Sequence, residues 1–192
     1  HLGGAMIPAA YLAMSYVGFA RVAHPFLERL SEATGETVEL TVMSSGGAVV
    51  VDQVPSKHPF RINLPIGRVQ NSTSMSGFRM HLAFMPVAEQ RKQLERRQAA
   101  LTPNTVTDPQ EIMERMDAER AEGLAFDLEE QDLRVCAVSV PVLGPDGYPS
   151  AVLSLVAPAE RFGPRERKRK AEAVKKAALE LGNQLNVRPN ND

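Results

Sequence analysis

Two alternating stretches, 134–143 and 149–157, are joined by Pro-Asp-Gly at 145–147 and constrain the fold more than any other part of the chain. Cys136, Val138, Val140 and Val142 alternate with Val135, Ala137, Ser139 and Pro141, the pattern of a strand with one branched apolar face and one face of small or polar groups. The Pro-Asp-Gly turn returns a second strand beside the first, placing Ser154 between Leu153 and Leu155. A short strand near 124–127, ending in Asp127, precedes them. One acid and a few hydroxyls facing small apolar side chains are what the wall of a small-molecule pocket needs.

Further strands are expected upstream. In Thr37–Met43, Val38, Leu40 and Val42 oppose Thr37, Glu39 and Thr41, as in a half-buried strand. The sequence SSGG turns it into a return strand, AVVVDQV, and FRINL at 60–64 reads as the third strand of a meander. Two helices are expected before this sheet. The first runs from Pro8 to about Gly18, and the second carries Val22, Phe26, Leu30 and Ala33, with Pro25 in its first turn and Gly35 at its end. A polar run, 65–77, leads into helical MHLAFM, which Pro86 separates from a helix over 87–98. Asp108, Pro109 and Glu111 form the start of a further helix that Gly123 closes, and a long basic helix ends the chain. The sum is an α+β domain with a central antiparallel sheet of about six strands and helices on its faces.

The 192 residues suit one domain. With 22 basic and 23 acidic residues, the chain as a whole presents no electrostatic footprint for nucleic acid or an anionic membrane. The apolar stretch from Ala5 to Ala23 is broken by Pro8, Ser15, Gly18 and Arg21, a poor membrane span, and the expected location is cytoplasmic. A single cysteine, Cys136, excludes an internal disulfide and a multi-thiolate metal site. His1, His24, His58 and His81 fall in no metal-ligand pattern, and no HExxH, GxSxG, Walker loop or CxxC pair occurs. No cofactor, metal ligand or catalytic residue is therefore assigned. The basic run Arg165, Arg167, Lys168, Arg169 and Lys170 reads as the solvated face of the last helix rather than a partner surface. The chain starts at His1 and enters helical pattern at once, so a preceding segment is expected.

Taken in order, PFLERLSEATGETVEL, VVVDQV, the IGR at 66–68, LTPNTVTDPQEI, GLAFDLEE, AVSVPV, PDG and AVLSLVAPAERF resemble the C-terminal effector-binding domain of IclR-type bacterial transcriptional regulators. The resemblance covers nearly the whole chain. It implies a GAF-like fold, a buried pocket for a small metabolite, and a winged helix-turn-helix DNA-binding domain ahead of this one. On that basis residues 1–20 form a linker helix, 21–185 the effector-binding domain and 186–192 a disordered tail. DNA would be reached only through the preceding domain, and a homodimer or homotetramer is expected, with no membrane partner. The stripe Ala9, Leu12, Ala13, Tyr16 and Val17 offers one packing surface for a second chain or for the sheet.

The resemblance also implies site residues: Ser76 and Gly77 at the start of the helix opening near 74, Asp127, Val135, Ala137, Ser154 and Val156. Met75, Met80 and Met85 add adaptable volume. Ala137 and Val156 stand where relatives often carry cysteine or serine, and SGFRM replaces the usual small-glycine-lysine turn, with Phe78 and Arg79 in the glycine and lysine positions. Loss of two polar partners removes ~1–3 kcal/mol of hydrogen bonding to a hydroxy- or keto-acid, which points away from a simple organic acid and toward an apolar aromatic or alkyl effector with one polar group. Two other readings compete: a GAF-like redox enzyme using Cys136, and an oligomerisation module without a working pocket.

Overall fold

The computed structural model describes residues 3–95 and 98–187, with side chains described over 18–95 and 98–186. Its elements are α1 (Gly3–Thr34), β1 (Thr37–Ser44), β2 (Gly47–Val54), β3 (Val69–Gln70), α2 (Ser76–Ala83), α3 (Val87–Leu94), α4 (Pro109–Glu122), β4 (Ala125–Leu128), β5 (Val135–Leu143), β6 (Pro149–Pro158), a 3-10 turn (Ala159–Arg161) and α5 (Pro164–Val187). The strands form one six-stranded sheet in the order β3-β2-β1-β6-β5-β4, antiparallel throughout. The expected α+β architecture holds.

Alternation sorts each central strand onto two layers. Val38, Leu40 and Val42 of β1, Val138, Val140 and Val142 of β5, and Leu153 and Leu155 of β6 pack with Ala23, Leu27 and Leu30 of α1 and Val174, Ala178 and Leu181 of α5. Burial of this many branched side chains is the main stabilising contribution, at roughly 1.5–3 kcal/mol for each large one. The opposite face of the sheet carries Thr37, Glu39, Thr41, Ser139 and Ser154, and these are buried as well. β1 is thus enclosed on both faces, not half-buried, because α2 and its flanking loops cover the polar side.

One helix, not two, precedes the sheet: α1 runs unbroken through Pro25. Proline in a helix interior costs about 3 kcal/mol through a lost hydrogen bond and a clash with the carbonyl four residues back. Here Pro25 and Arg21, the residue whose carbonyl it cannot bond, are both exposed, while Ala23, Leu27 and Leu30 are buried on the sheet. Packing of the buried side holds the helix continuous across the proline. The boundary expected at residue 20 therefore falls inside one helix. The stripe from Ala9 to Val17 lies outside the described side chains, and 188–192 of the expected tail lie outside the described residues.

The third strand is Val69–Gln70; residues 60–64 form none. Pro59 and Pro65 bracket that segment, and side chains take its carbonyls: Thr37 Oγ1 donates to Ile62 O at 2.7 Å and Gln53 Nε2 to Leu64 O at 2.7 Å. The helix at 87 ends at Leu94, short of the expected 98, with 96–97 outside the described residues. α4 starts as read, with Asp108 accepting from Glu111 N at 2.9 Å, and ends at Gly123, whose φ of 63° is readily adopted only by a residue without a Cβ. The basic run is not uniformly solvated. Lys170 is 2 % exposed, donates to the Arg161 carbonyl and lies 3.2 Å from Glu36, which Arg161 also pairs at 2.7 Å.

Candidate functional site

Strand register assembles the site from residues distant in sequence. One row across the sheet reads Asp127, Ala137, Val156 and Thr37; the next reads Ser139, Ser154 and Glu39. α2 crosses these rows, and between them lies a cavity of about 90 Å³. Its lining combines Met75, Ser76 and Gly77 from the start of α2 with Asp127, Val135, Ala137, Ser139 and Val156 from the sheet. Glu39, Arg68 and Gln70 contribute from the other side, and Ile62 and Leu64 give it an apolar flank. That is room for a small organic molecule, with apolar walls and a few convergent polar groups.

Of the eight residues expected at the site, seven line this cavity, and Ser154 stands behind them. Its hydroxyl is 2.8 Å from Ser139 Oγ, which is in turn 2.8 Å from Ser76 Oγ. The three serines form a hydroxyl chain tying β6, β5 and α2 together. Gly77 permits the close crossing of α2: a Cβ there would lie 2.9 Å from Gln70 Oε1 and 3.2 Å from Ser154 Oγ. Met75 is at the pocket, but Met80 packs with Ala125 and Val152, and Met85 with the cluster around Phe78 and Leu82. Helical spacing turns these two methionines away, so only one of the three adds adaptable volume.

Two buried carboxyls dominate the electrostatics. Asp127 is pushed up to about 7 by burial, against the amide of Glu130, which donates to its Oδ1 at 2.8 Å. It is both a turn former and a pocket wall. Glu39 is also pushed up to about 7 by burial, against the pull of Gln70 Nε2, which donates to its Oε1 at 2.8 Å, and of the Arg68 charge. Sequence reasoning missed Glu39 because β1 read as a half-buried strand, Gln70 because it fell in the polar run 65–77, and Ser139 although it alternates onto the same face as Val135 and Ala137. The available signal was a glutamate between two threonines on a strand that the sheet order places centrally.

The altered turn builds a regular helix, with Phe78 in the core and Arg79 1 % exposed. Arg79 donates to Glu119 at 2.8 Å and to Thr73 O at 2.6 Å, and it lies 3.8 Å from Glu130. Arg115 closes the cluster, 3.1 Å from Glu119 and 2.7 Å from Glu130. The guanidinium fork reaches both carboxylates and carbonyls, which pins the loop before α2 to the end of β4, beside Asp127. Nearby, His81 is held down at about 4 by burial, 3.1 Å from Thr41 Oγ1.

Cys136 is on the core face of β5, 5 % exposed, with its thiol pushed up to about 11 by burial and neighbouring acids. No group of three metal-binding side chains occurs among the described residues, and no described helix is long and apolar enough to cross a membrane.

A central sheet and a helix start that together enclose one small mixed pocket, with the cysteine facing away from it, define a small-molecule-binding regulatory domain. Residues 11–183 match the family described as bacterial transcriptional regulator IclR C-terminal, and the chain belongs to that family. It is 35% identical over 150 residues to the HTH-type transcriptional regulator Rv1719 of Mycobacterium tuberculosis, covering 78% of this chain and 58% of the relative. The IclR structure of Thermotoga maritima superposes with a TM-score of 0.80 at 27% identity, over 93% of this chain and 73% of that one. The inducer-binding domain of the Acinetobacter transcription factor PobR, a double mutant in complex with 3-hydroxybenzoic acid, gives 0.76 at 26% identity, over 86% and 98%. The chain spans somewhat over half the length of the curated relatives it matches.

Proposed function

We propose that this chain is the sensor of a transcriptional regulator: a small organic molecule enters the cavity between α2 and the sheet, and its occupancy sets the DNA affinity of a winged helix-turn-helix domain preceding residue 1. The observation that carries the reading is the cavity itself, which combines apolar walls with the polar side chains of Glu39, Asp127, Ser76 and Gln70. α2 has no side-chain N-cap at Met75, so its leading amides offer a place for a ligand carboxylate or carbonyl beside Ser76 and Gly77. The apolar flank of Ile62, Leu64, Val135, Ala137 and Val156 favours an aromatic or alkyl body. The complex of the related PobR domain with an aromatic hydroxy acid supports the same class. Met75, Ser76, Gly77, Asp127, Val135, Ala137 and Val156 touch the ligand in this reading, and Ser154 acts through Ser139. The regulator works in the cytoplasm as a homodimer or homotetramer, in which the ligand shifts packing between subunits. Coupling of about 1–3 kcal/mol suffices for such a switch.

Thermal unfolding against a panel of small carboxylates, aromatic acids, lactones and aldehydes tests this. A ligand at about 100 times its Kd adds about 2.7 kcal/mol, a shift of several degrees for a domain of this size. The expected result is a selective shift that Asp127→Ala and Ser139→Ala abolish. A flat panel would count against a working pocket and favour a purely oligomeric role.

A further inference from the structure

We infer that Glu39 is the specificity-determining residue of the pocket, and that its ligand presents a hydrogen-bond donor, a hydroxyl or an ammonium, to Glu39 Oε2. The inference rests on the sensor reading above and adds the chemistry that the pocket demands. Several of the other polar groups around the cavity are already engaged. Ser76, Ser139 and Ser154 satisfy one another in a chain, and Asp127 Oδ1 accepts from the amide of Glu130 at 2.8 Å. Gln70 Nε2 is committed to Glu39 Oε1 at 2.8 Å.

Glu39 Oε2 differs from all of these. It is buried at the pocket wall with no donor among the described residues, on a side chain that is 3 % exposed in the middle of the sheet. An unpaired buried carboxylate oxygen is costly, and native interiors rarely keep one without a role. Burial pushes the Glu39 carboxyl up to about 7, against the Gln70 hydrogen bond and the charge of Arg68, an exposed residue of the same lining, and a donor brought to Oε2 favours the ionised, acceptor-only form. A ligand hydroxyl or ammonium therefore satisfies the orphan oxygen, whereas an ether or an alkyl group in the same place leaves it unpaired.

The test uses hydroxyl and O-methyl pairs as probes: lactate with 2-methoxypropanoate, mandelate with 2-methoxyphenylacetate, and 4-hydroxyphenylacetate with 4-methoxyphenylacetate. Affinities are measured by titration calorimetry on the 192-residue chain and on Glu39→Gln. The wild type should prefer the hydroxyl member of a binding pair by tenfold or more, on the order seen where a site hydrogen-bonds a substrate hydroxyl. In Glu39→Gln the ratio should collapse toward one, because an amide nitrogen in place of Oε2 donates equally well to a hydroxyl or an ether oxygen. The comparison of ratios cancels the bulk of the methyl group, and the wild-type ratio is read without any variant. Equal binding of both members, a preference for the ether, or a ratio unmoved by Glu39→Gln would overturn the role of Glu39 while leaving the sensor standing. Binding of neither member of any pair would overturn both.

Discussion

Replacing Arg79 should do more damage than any other single change at the pocket. Arg79 is 1 % exposed and sits between two acids, Glu119 at 2.8 Å and Glu130 at 3.8 Å, while donating to the carbonyls of Thr73 and Phe126. Arg79→Met removes the cation and leaves two buried carboxylates to share Arg115, whose side chain is 26 % exposed and cannot reach Thr73. Breaking a buried ion pair from one side costs about 3–5 kcal/mol. For a domain of this size that is a fall in Tm of roughly 6–20 °C, at about 2–4 °C per kcal/mol. Arg79→Lys keeps the charge but loses the fork, so the carbonyl bonds go and about 1–3 kcal/mol with them. Urea unfolding of wild type, both single variants, Glu119→Met and the double variant Arg79→Met/Glu119→Met gives the full cycle. The double variant should recover part of the loss, since no carboxylate is then stranded at position 119. A loss below about 1 kcal/mol in Arg79→Met, or strict additivity in the double variant, would refute the argument that the loop before α2 is held by this cluster.

Three further outcomes are expected. A carboxyl raised on folding favours the fold below its unfolded value and loses that contribution as pH rises, so Glu39 and Asp127, both at about 7, destabilise the chain toward neutral pH. His81, lowered to about 4, acts in the opposite sense, its contribution being lost as pH falls from the ordinary value of 6.5. Between about pH 5 and 6 the three together leave the folded state with about one extra proton, so their contribution falls by about 1.4 kcal/mol per pH unit as pH rises; the slope is read from urea midpoints against pH, and its reversal in Glu39→Gln/Asp127→Asn, where of the three only His81 still titrates, checks the assignment. Cys136, with its thiol at about 11 against an ordinary 9.0, should react with iodoacetamide near pH 8 at least about 100-fold more slowly in the folded chain than in urea; rapid native labelling would revive a redox reading. Ser139→Ala should cost about 1–3 kcal/mol by chemical denaturation, more than Ser76→Ala or Ser154→Ala, because it breaks both links of the hydroxyl chain; equal losses in all three would show that no such chain exists.

Most of the fold was legible because its signals are local. The cap at Asp108 and the stop at Gly123 act within one helical turn, and the alternation of β5 and β6 follows from the two-residue repeat of a strand. Pro25 misled for the same reason. Its local cost is real, but burial of Ala23, Leu27 and Leu30 on the sheet outweighs it. FRINL carries a strand-like composition, yet its carbonyls bond to the side chains of Thr37 and Gln53, a choice set by residues 25 and 11 positions away.

Strand alternation alone says which residues can share a face: Val135, Ala137 and Ser139 together, Thr37, Glu39 and Thr41 together, and Cys136 apart from the first group. What each face meets depends on how distant segments pack. The pairing of Glu39 with Ser154 comes from register between strands more than a hundred residues apart, and that of Ser154 with Ser139 from the register of the β5–β6 hairpin. The covering of that polar row by α2 turns an expected wet face into a closed one. Desolvation follows from that closure, and with it come the raised carboxyls of Glu39 and Asp127, the orphan oxygen and the pocket, none of which is a property of any local stretch of chain.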